Sequence, residues 1–262
     1  MNTSDQSCVV AELREEGQVL RLVLSAPKAN ILDSRMLAGI NAALDKYAGS
    51  TALKAITFEG EGKHFCFGAS VEEHQADQAA DMLASFHGLF RRLSAMAIPT
   101  VAIVRGQCLG GGLELAAYCS WIFASPSAHF GQPEIKLAVF PPMASLLLPW
   151  RLGGGRALDL CVSGRSIDAE EAQRIGLIHG IADDPTQEFE TFFSQNIKML
   201  SASSLRIAER AVRRPLSLML ERDLPALEKL YIEELMQTHD ANEGITAFLE
   251  KRAPRFAADA VN

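Results

Sequence analysis

Residues 101–134 read VAIVRGQCLGGGLELAAYCSWIFASPSAHFGQPE, and this stretch decides how the chain folds. Thr100 to Val104 is a short β-branched run that is typical of a buried strand. The glycines at 110–112 then mark a tight turn into a helix predicted to begin near Leu113. Glycine lets another molecule approach the main chain, and the first N–H groups of a helix lack intrahelical acceptors. The turn is therefore suited to hold a developing negative charge.

Two glutamates accompany this turn. Glu114 falls in the first turn of the predicted helix, and Glu134 follows Pro133 at the head of an otherwise apolar stretch. A carboxyl group among apolar neighbours tends to have a raised pKa, and it can carry a proton near neutrality. Taken alone, the glycines also fit a close-packing role and Glu114 fits ordinary compensation of the helix dipole. Taken together, the two carboxyls predict a division of acid and base roles.

Composition limits the classes of protein that fit. The chain has 262 residues, 48% hydrophobic and 22% charged, which is ordinary for a globular protein with a substantial core. Its net charge of −7 disfavours general attraction to nucleic acid or to an anionic membrane. No apolar run has the length of a membrane span, and the N-terminus is polar rather than a targeting peptide. We therefore expect a cytoplasmic protein with neither nucleic-acid nor membrane partners.

The cysteines and histidines do not predict a disulfide framework or a metal centre. Five cysteines occur without a CxxC pair, and His64, Cys66 and His74 form only a loose cluster. A tight surface turn with Phe65 and Phe67 in the core is an alternative interpretation of the surrounding segment, Gly60 to Ala69. We expect no metal and no cofactor, so that the chemistry belongs to the side chains and the main chain.

Elements along the chain predict an α/β fold. Val9 to Leu13 and Val19 to Leu24 alternate apolar and polar residues and predict a β-hairpin. Asp33 is placed to cap a helix, and Lys54 to Phe58 returns to strand. Because strand, helix and strand recur in this order through Trp121 to Ala124, crossover helices should connect the strands.

The segments FGAS, RGQCLGGGLE, FGQPEI, SGRSID and SASSLR resemble those of the crotonase, or enoyl-CoA hydratase/isomerase, superfamily, over most of the chain. This resemblance implies a crotonase-like spiral of repeated ββα units and a substrate that is an acyl-CoA thioester. It implies that Glu114 and Glu134 are the catalytic residues. It also implies an oxyanion hole for the thioester carbonyl, formed by the N–H groups of Ala69 and Gly111. The usual pattern has an aspartate after that alanine, and this chain has Ser70 instead.

A second departure follows Glu134, where the superfamily commonly has another glycine-rich turn. Here the chain has Phe140-Pro141-Pro142-Met143-Ala144-Ser145, which would place a bulky wall beside the acyl pocket. In this feature the sequence resembles hydratases that act on alicyclic dienoyl-CoA esters in anaerobic aromatic degradation. The resemblance therefore implies addition of water to a cyclic conjugated dienoyl-CoA thioester.

The resemblance also implies contacts to the substrate and its CoA moiety, made by a set of residues along the chain: Lys28, Ala29, Phe67, Gly68, Gly110, Pro133, Pro142, Met143, Phe248 and Lys251. Residues 1–200 would form the catalytic core, and residues 201–262 a helical region that mediates trimerisation. Homotrimers that can pair into hexamers are expected. From the residues alone, the final helix predicted over Ala247 to Arg252 equally fits a solvated charged helix. Asp168 is predicted to be a helix cap.

Three functions compete at this point. A hydratase of conjugated acyl-CoA esters uses both glutamates, whereas an isomerase of the same fold can work with the one matching Glu134. The linear substrates of fatty acid oxidation are the alternative to a cyclic diene. A non-catalytic oligomeric binding protein is the third, and the intact pair of glutamates disfavours it.

Overall fold

The structure, a computed structural model, describes residues 8–26 and 28–257. Residues 1–7 and 258–262, at the ends of the two predicted regions, lie outside that description. Within it, strands occur at the following positions: β1 Val9–Arg14, β2 Val19–Leu24, β3 Ala55–Gly60, β4 Thr100–Val104, β5 Gln107–Leu109, β6 Trp121–Ala124, β7 His129–Gly131, β8 Ser166–Asp168 and β9 Gly180–Ile181.

Helices connect and cover these strands: α1 Ser34–Tyr47, α2 Ala79–Met96, α3 Gly111–Tyr118, α4 Pro142–Leu152, α5 Gly154–Ser163, α6 Ala169–Arg174, α7 Pro185–Asn196, α8 Ala202–Val212, α9 Arg214–Arg222, α10 Leu224–Lys229 and α11 His239–Leu249. Four short 3₁₀ segments are Glu15–Gly17, Glu72–His74, Pro133–Leu137 and Leu235–Gln237. One π-helical segment, Leu230–Glu234, continues directly from α10.

The strands form two sheets, and the chain moves between them in each repeat. The larger sheet has the order β1-β2-β3-β4-β6-β9, and the smaller one has the order β5-β7-β8. The predicted hairpin pairs β1 with β2 antiparallel, and the other neighbours in the larger sheet are parallel. Because β4, β5 and α3 are followed by β6, β7 and α4, successive ββα units build a spiral. This confirms the predicted α/β architecture.

Side-chain alternation along the strands divides the core between the two faces of the larger sheet. Leu20, Leu22, Ile56 and Phe58 face the main core with helices α1 and α2. Alternate strand residues face a smaller core on the other side of the sheet, where they meet α7. The strand residues are Val19, Ala55, Val101, Ile103 and Phe123, and the residues from α7 and its C-terminal end are Phe189, Phe193 and Ile197. Successive strand residues point to opposite faces, so both faces are apolar because both are covered.

Two predicted caps are confirmed. The Asp33 carboxylate accepts a hydrogen bond from the Met36 N–H at 2.8 Å, which begins α1. Asp168 does the same for the Glu171 N–H at 2.8 Å, which begins α6. Each cap satisfies a helix N–H that has no intrahelical partner.

The C-terminal region is helical as predicted, but its last helix is shorter than predicted. The final helix ends at Leu249 rather than Arg252, and Lys251 adopts a left-handed φ of 55°. Within α8, Leu205 packs against the smaller core, whereas Ile207 is 58% exposed and Val212 72%. Among residues 8–26 and 28–257, none of the helices combines the length and apolar character that a bilayer crossing requires.

Candidate active site

The glycine turn after β5 meets a second turn at Gly68 and Ala69. A β-carbon added at Gly111 would lie 3.1 Å from the Ala69 backbone nitrogen, and one at Gly68 would lie 3.5 Å from the Gly111 nitrogen. Gly68 has a φ of +116°, which L side chains rarely adopt. The Ala69 and Gly111 N–H groups have no hydrogen-bond acceptor within the described parts of the chain. The structure thus brings together the two N–H groups predicted for an oxyanion hole.

Cys66 holds the first of these turns in place. Its sulfur accepts a hydrogen bond from the Gly68 N–H at 3.2 Å, and its thiol donates to the Gly68 carbonyl at 3.6 Å. Burial raises the pKa of Cys66 to about 12, so the thiol stays protonated and able to donate. A β-carbon at Gly112 would lie 2.9 Å from the same sulfur, and only glycine fits this approach.

Glu114 lies in the first turn of α3, and its carboxylate faces the beginning of α4. Its Oε1 accepts a hydrogen bond from the Ala144 N–H at 2.7 Å. Burial raises the pKa of Glu114 to about 7, while hydrogen bonds from the Ala144 and Met143 N–H groups act in the opposite direction. The helix N-terminus therefore supports the ionised form of a buried carboxyl group.

Glu134 occupies the 3₁₀ turn Pro133–Leu137, where Pro133 fixes the backbone at its start. Burial raises its pKa well above 4.5, and the charge of Glu114 raises it further. Gln132, turned with its amide nitrogen toward Glu134, donates to both carboxylate oxygens at 3.0 Å. The raised pKa expected from the sequence is present at both glutamates, and each pKa depends on the charge of the other.

A cavity of about 710 Å³ contains both glutamates and both oxyanion-hole turns. Its lining includes most of the residues predicted to bind substrate: Ala29, Phe67, Gly68, Gly110, Pro133, Pro142 and Phe248. Lys28, Met143 and Lys251 do not line it. The side chain of Met143 is fully buried, and this residue contacts the site through its backbone N–H, which donates to Glu114.

The bulky segment after Glu134 has a second role that the sequence did not indicate. It was predicted as a wall beside the second glutamate. Pro141 and Pro142 do line the cavity, but the segment also starts α4, whose Ala144 N–H binds the first glutamate. Backbone groups carry no sequence signal, so this contact was not predictable.

Other residues of the site escaped sequence reasoning. Gln132 was part of the quoted FGQPE motif, and its position beside a predicted catalytic carboxyl was the available signal. Phe86, His87 and Tyr231 also line the cavity, although no sequence motif indicated them. Arg252 lines the mouth and is paired with Glu243 at 2.6 Å. Within the described part of the chain, no group of three or more His, Cys, Asp or Glu side chains is arranged to hold a metal ion.

A spiral of ββα units, with the buried Glu114, the partly buried Glu134 and two main-chain N–H groups in one cavity, defines a class of enzyme that binds a carbonyl oxygen and transfers protons beside it. The enoyl-CoA hydratase/isomerase family model matches residues 14–259. The chain belongs to this family.

Known relatives cover nearly the whole chain. A cyclohexa-1,5-dienecarbonyl-CoA hydratase of Thauera aromatica is 52% identical over 241 residues, covering 92% of this chain and 93% of that protein. A probable enoyl-CoA hydratase of Rhizobium meliloti is 37% identical over 245 residues, covering 92% and 95%. The crystal structure of an enoyl-CoA hydratase from Mycobacterium avium superposes with a TM-score of 0.84 at 25% identity, covering 95% of this chain and 99% of that one.

Proposed function

We propose that the protein is a hydratase of a cyclic conjugated dienoyl-CoA thioester, converting cyclohexa-1,5-diene-1-carbonyl-CoA to 6-hydroxycyclohex-1-ene-1-carbonyl-CoA in anaerobic aromatic degradation. The observation that carries hydration is the pair of glutamates in one cavity, both with raised pKa values. The similarity to the Thauera aromatica hydratase supports the cyclic substrate. The reaction adds one water and requires no cofactor.

The thioester oxygen accepts hydrogen bonds from the Ala69 and Gly111 N–H groups. As the oxygen of the attacking water bonds to the β carbon, negative charge moves onto the thioester oxygen. Because the two N–H donors are already in position, they stabilise this charge without reorganisation of the protein. The glycine turn supports this role because it leaves the main chain accessible to the carbonyl.

Glu114 acts as the base and Glu134 as the acid. The N-terminus of α4 favours the ionised form of Glu114, and that charge keeps the proton on Glu134. Glu114 removes a proton from the attacking water, and Glu134 delivers its proton to carbon. The Gln132 amide then donates to the carboxylate that Glu134 becomes. Each glutamate thereby carries out one of the two proton transfers of the addition.

In the cyclic diene the new C–O bond forms at the β carbon and the new C–H bond at the far end of the conjugated system. This is a 1,4-addition, and the two reacting carbons lie opposite each other in the ring. Pro141 and Pro142, which line the cavity, hold the ring so that the two carboxyls address different carbons. A linear enoyl chain receives its proton at the α carbon instead.

Hydration assays in D₂O test this proposal. The protein is incubated with cyclohexa-1,5-diene-1-carbonyl-CoA, a cyclic monoenoyl-CoA and crotonyl-CoA, and the site of deuterium is located in each product. We expect the highest kcat/KM for the diene, with deuterium at the far carbon. Glu114→Gln and Glu134→Gln should each lower kcat by ~10² to 10⁴-fold with little change in binding. Deuterium at the α carbon of the product formed from the diene, or a Gln variant with unchanged kcat, contradicts the mechanism.

A general enoyl-CoA hydratase or isomerase is the second candidate, supported by the similarity to the Rhizobium meliloti protein. Faster hydration of crotonyl-CoA than of any cyclic ester would favour it. A non-catalytic oligomeric binding protein predicts no turnover of any of the three thioesters.

We further propose that the enzyme works in the cytoplasm as a homotrimer or homohexamer, with residues 201–262 at the subunit contacts. The exposed apolar side chains of α8, Ile207 and Val212, support such a contact, because exposed apolar surface favours association. Sedimentation should give the mass of three or six chains, and Ile207→Glu should shift it toward one.

A further inference from the structure

His87 presents an unpaired acceptor at the wall of the cavity. Its side chain is fully buried on α2, and its Nδ1 lies 2.7 Å from Glu228 Oε1, which Arg91 also contacts at 2.9 Å. A carboxylate oxygen accepts, so the hydrogen is on Nδ1. Burial lowers the pKa of His87, which leaves the ring neutral and Nε2 with a free lone pair. That nitrogen has no partner among the residues that the structure describes.

Tyr231 presents a second unpaired group at the same cavity. The residue is 1% exposed, its ring packs against Phe140 with centroids 5.5 Å apart, and its hydroxyl has no partner within the described ranges. Burial raises the pKa of this phenol, and the charges of Glu134 and Glu114 raise it further, so it remains a donor. Tyr231 and both glutamates line the same cavity.

The two residues line the same cavity and are linked through one segment of the chain. Glu228, which orients His87, precedes Tyr231 by three residues, and Tyr231 itself lies in the π-helical turn Leu230–Glu234. Such turns are uncommon and recur at functional sites. Buried polar atoms without partners cost free energy in the empty site, and a ligand that pairs with them recovers it. Two such atoms, in residues that line one cavity, therefore indicate a polar ligand group.

We propose that His87 Nε2 and the Tyr231 hydroxyl form a subsite for a hydroxyl group on the acyl ring of the substrate. A hydroxyl donates to the imidazole lone pair and accepts from the phenol, which satisfies both atoms. A carboxylate has no hydrogen to donate and an ammonium has no lone pair to offer, so neither satisfies both. The inference rests on the proposed function for the identity of the ring, and it extends the substrates to ring-hydroxylated acyl-CoA esters.

Non-reacting ring thioesters test this subsite independently of turnover. Dissociation constants are measured for 3- and 4-hydroxybenzoyl-CoA and for the methyl analogues, 3- and 4-methylbenzoyl-CoA, which match their size. The wild-type protein should bind at least one hydroxy isomer about tenfold more tightly than its methyl counterpart. Tyr231→Phe should remove most of that preference, and His87→Phe should do the same. Tyr47→Phe, which removes a phenol hydroxyl outside the cavity, should retain it.

The outcomes separate this subsite from the proposed function. Equal binding of hydroxy and methyl esters by the wild-type protein overturns the subsite, even where the cyclic diene is hydrated. A preference that survives in Tyr231→Phe overturns it as well, and this variant decides alone if His87→Phe does not fold. A hydroxyl preference that depends on Tyr231, in a protein that hydrates none of the thioesters, supports the subsite and refutes the hydratase.

Discussion

Replacing Glu114 by glutamine should make the protein more stable at alkaline pH while removing its activity. Glutamine keeps an oxygen that can accept from the Ala144 N–H, so the contact to α4 survives. It removes a carboxyl group whose ionised form is disfavoured by burial. Stability and activity therefore change in opposite directions at this position.

The magnitude follows from the pKa of Glu114, which burial raises from 4.5 to about 7. Because the folded state holds the proton more tightly than the unfolded state, the contribution to stability is fully present below pH 4.5. It is lost as the pH rises to 7 and beyond. Each pKa unit corresponds to about 1.4 kcal/mol, so the loss is about 3 kcal/mol. In the variant this loss does not occur, and Glu134 is also relieved of a neighbouring charge.

Urea unfolding of both proteins at pH 4.5 and pH 8.5, at one protein concentration, measures this effect. The free energy of unfolding of Glu114→Gln, relative to wild type, should increase by about 3 kcal/mol between the two pH values. Taking the difference cancels the titration of groups common to both proteins. Glu221→Gln, at an exposed position on α9, should show no such increase. A relative stability that is flat to within about 1 kcal/mol would refute the assignment of a raised pKa to Glu114.

Three further substitutions test the site. Gly110→Ala places a β-carbon 2.7 Å from Glu134 Oε1, at a residue whose φ is +51°. Because this displaces the carboxyl group, the variant should lower kcat by ~10²-fold. The control Gly155→Ala adds a β-carbon in open space and should leave kcat unchanged. Ala69→Pro deletes the proposed oxyanion donor and should lower the rate by ~10²-fold or more; a folded variant with normal turnover would contradict that role. Lys28→Ala, at an exposed position beside the cavity residue Ala29, should raise KM for acyl-CoA with little change in kcat; an unchanged KM leaves Lys28 without a role in binding CoA.

Local sequence patterns predicted the elements of this fold well. The alternation in β1 and β2 and the cap at Asp33 depend on residues close in sequence, and the structure confirms them. Element ends were less accurate: the strand predicted over Lys54 to Phe58 runs from Ala55 to Gly60, and α3 begins at Gly111 rather than Leu113. Ends depend on which tertiary partners compete for the last backbone groups, and periodicity does not report them.

For the candidate site too, the features that depend on residues close in sequence were predicted, and those that depend on tertiary contacts were not. The motifs that carry Glu114, Glu134, Ala69 and Gly111 each include glycine or proline, so the turns that aim them were visible in the sequence. The contribution of Tyr231 was not visible, because a helical stripe shows which face is buried and not which cavity it meets.

The shape of the cavity wall and the charge state of Glu114 are not independent in this protein. Pro142 is the first residue of α4 and lines the cavity, while Ala144, two residues later in the same turn, donates to Glu114. Proline suits the first helical position because it needs no N–H there, and its ring supplies the wall. Any change that moves this wall to admit a different ring also moves the helix N-terminus that counteracts the effect of burial on the pKa of Glu114. Substrate range in this chain should therefore evolve together with the pH dependence of kcat, rather than separately from it.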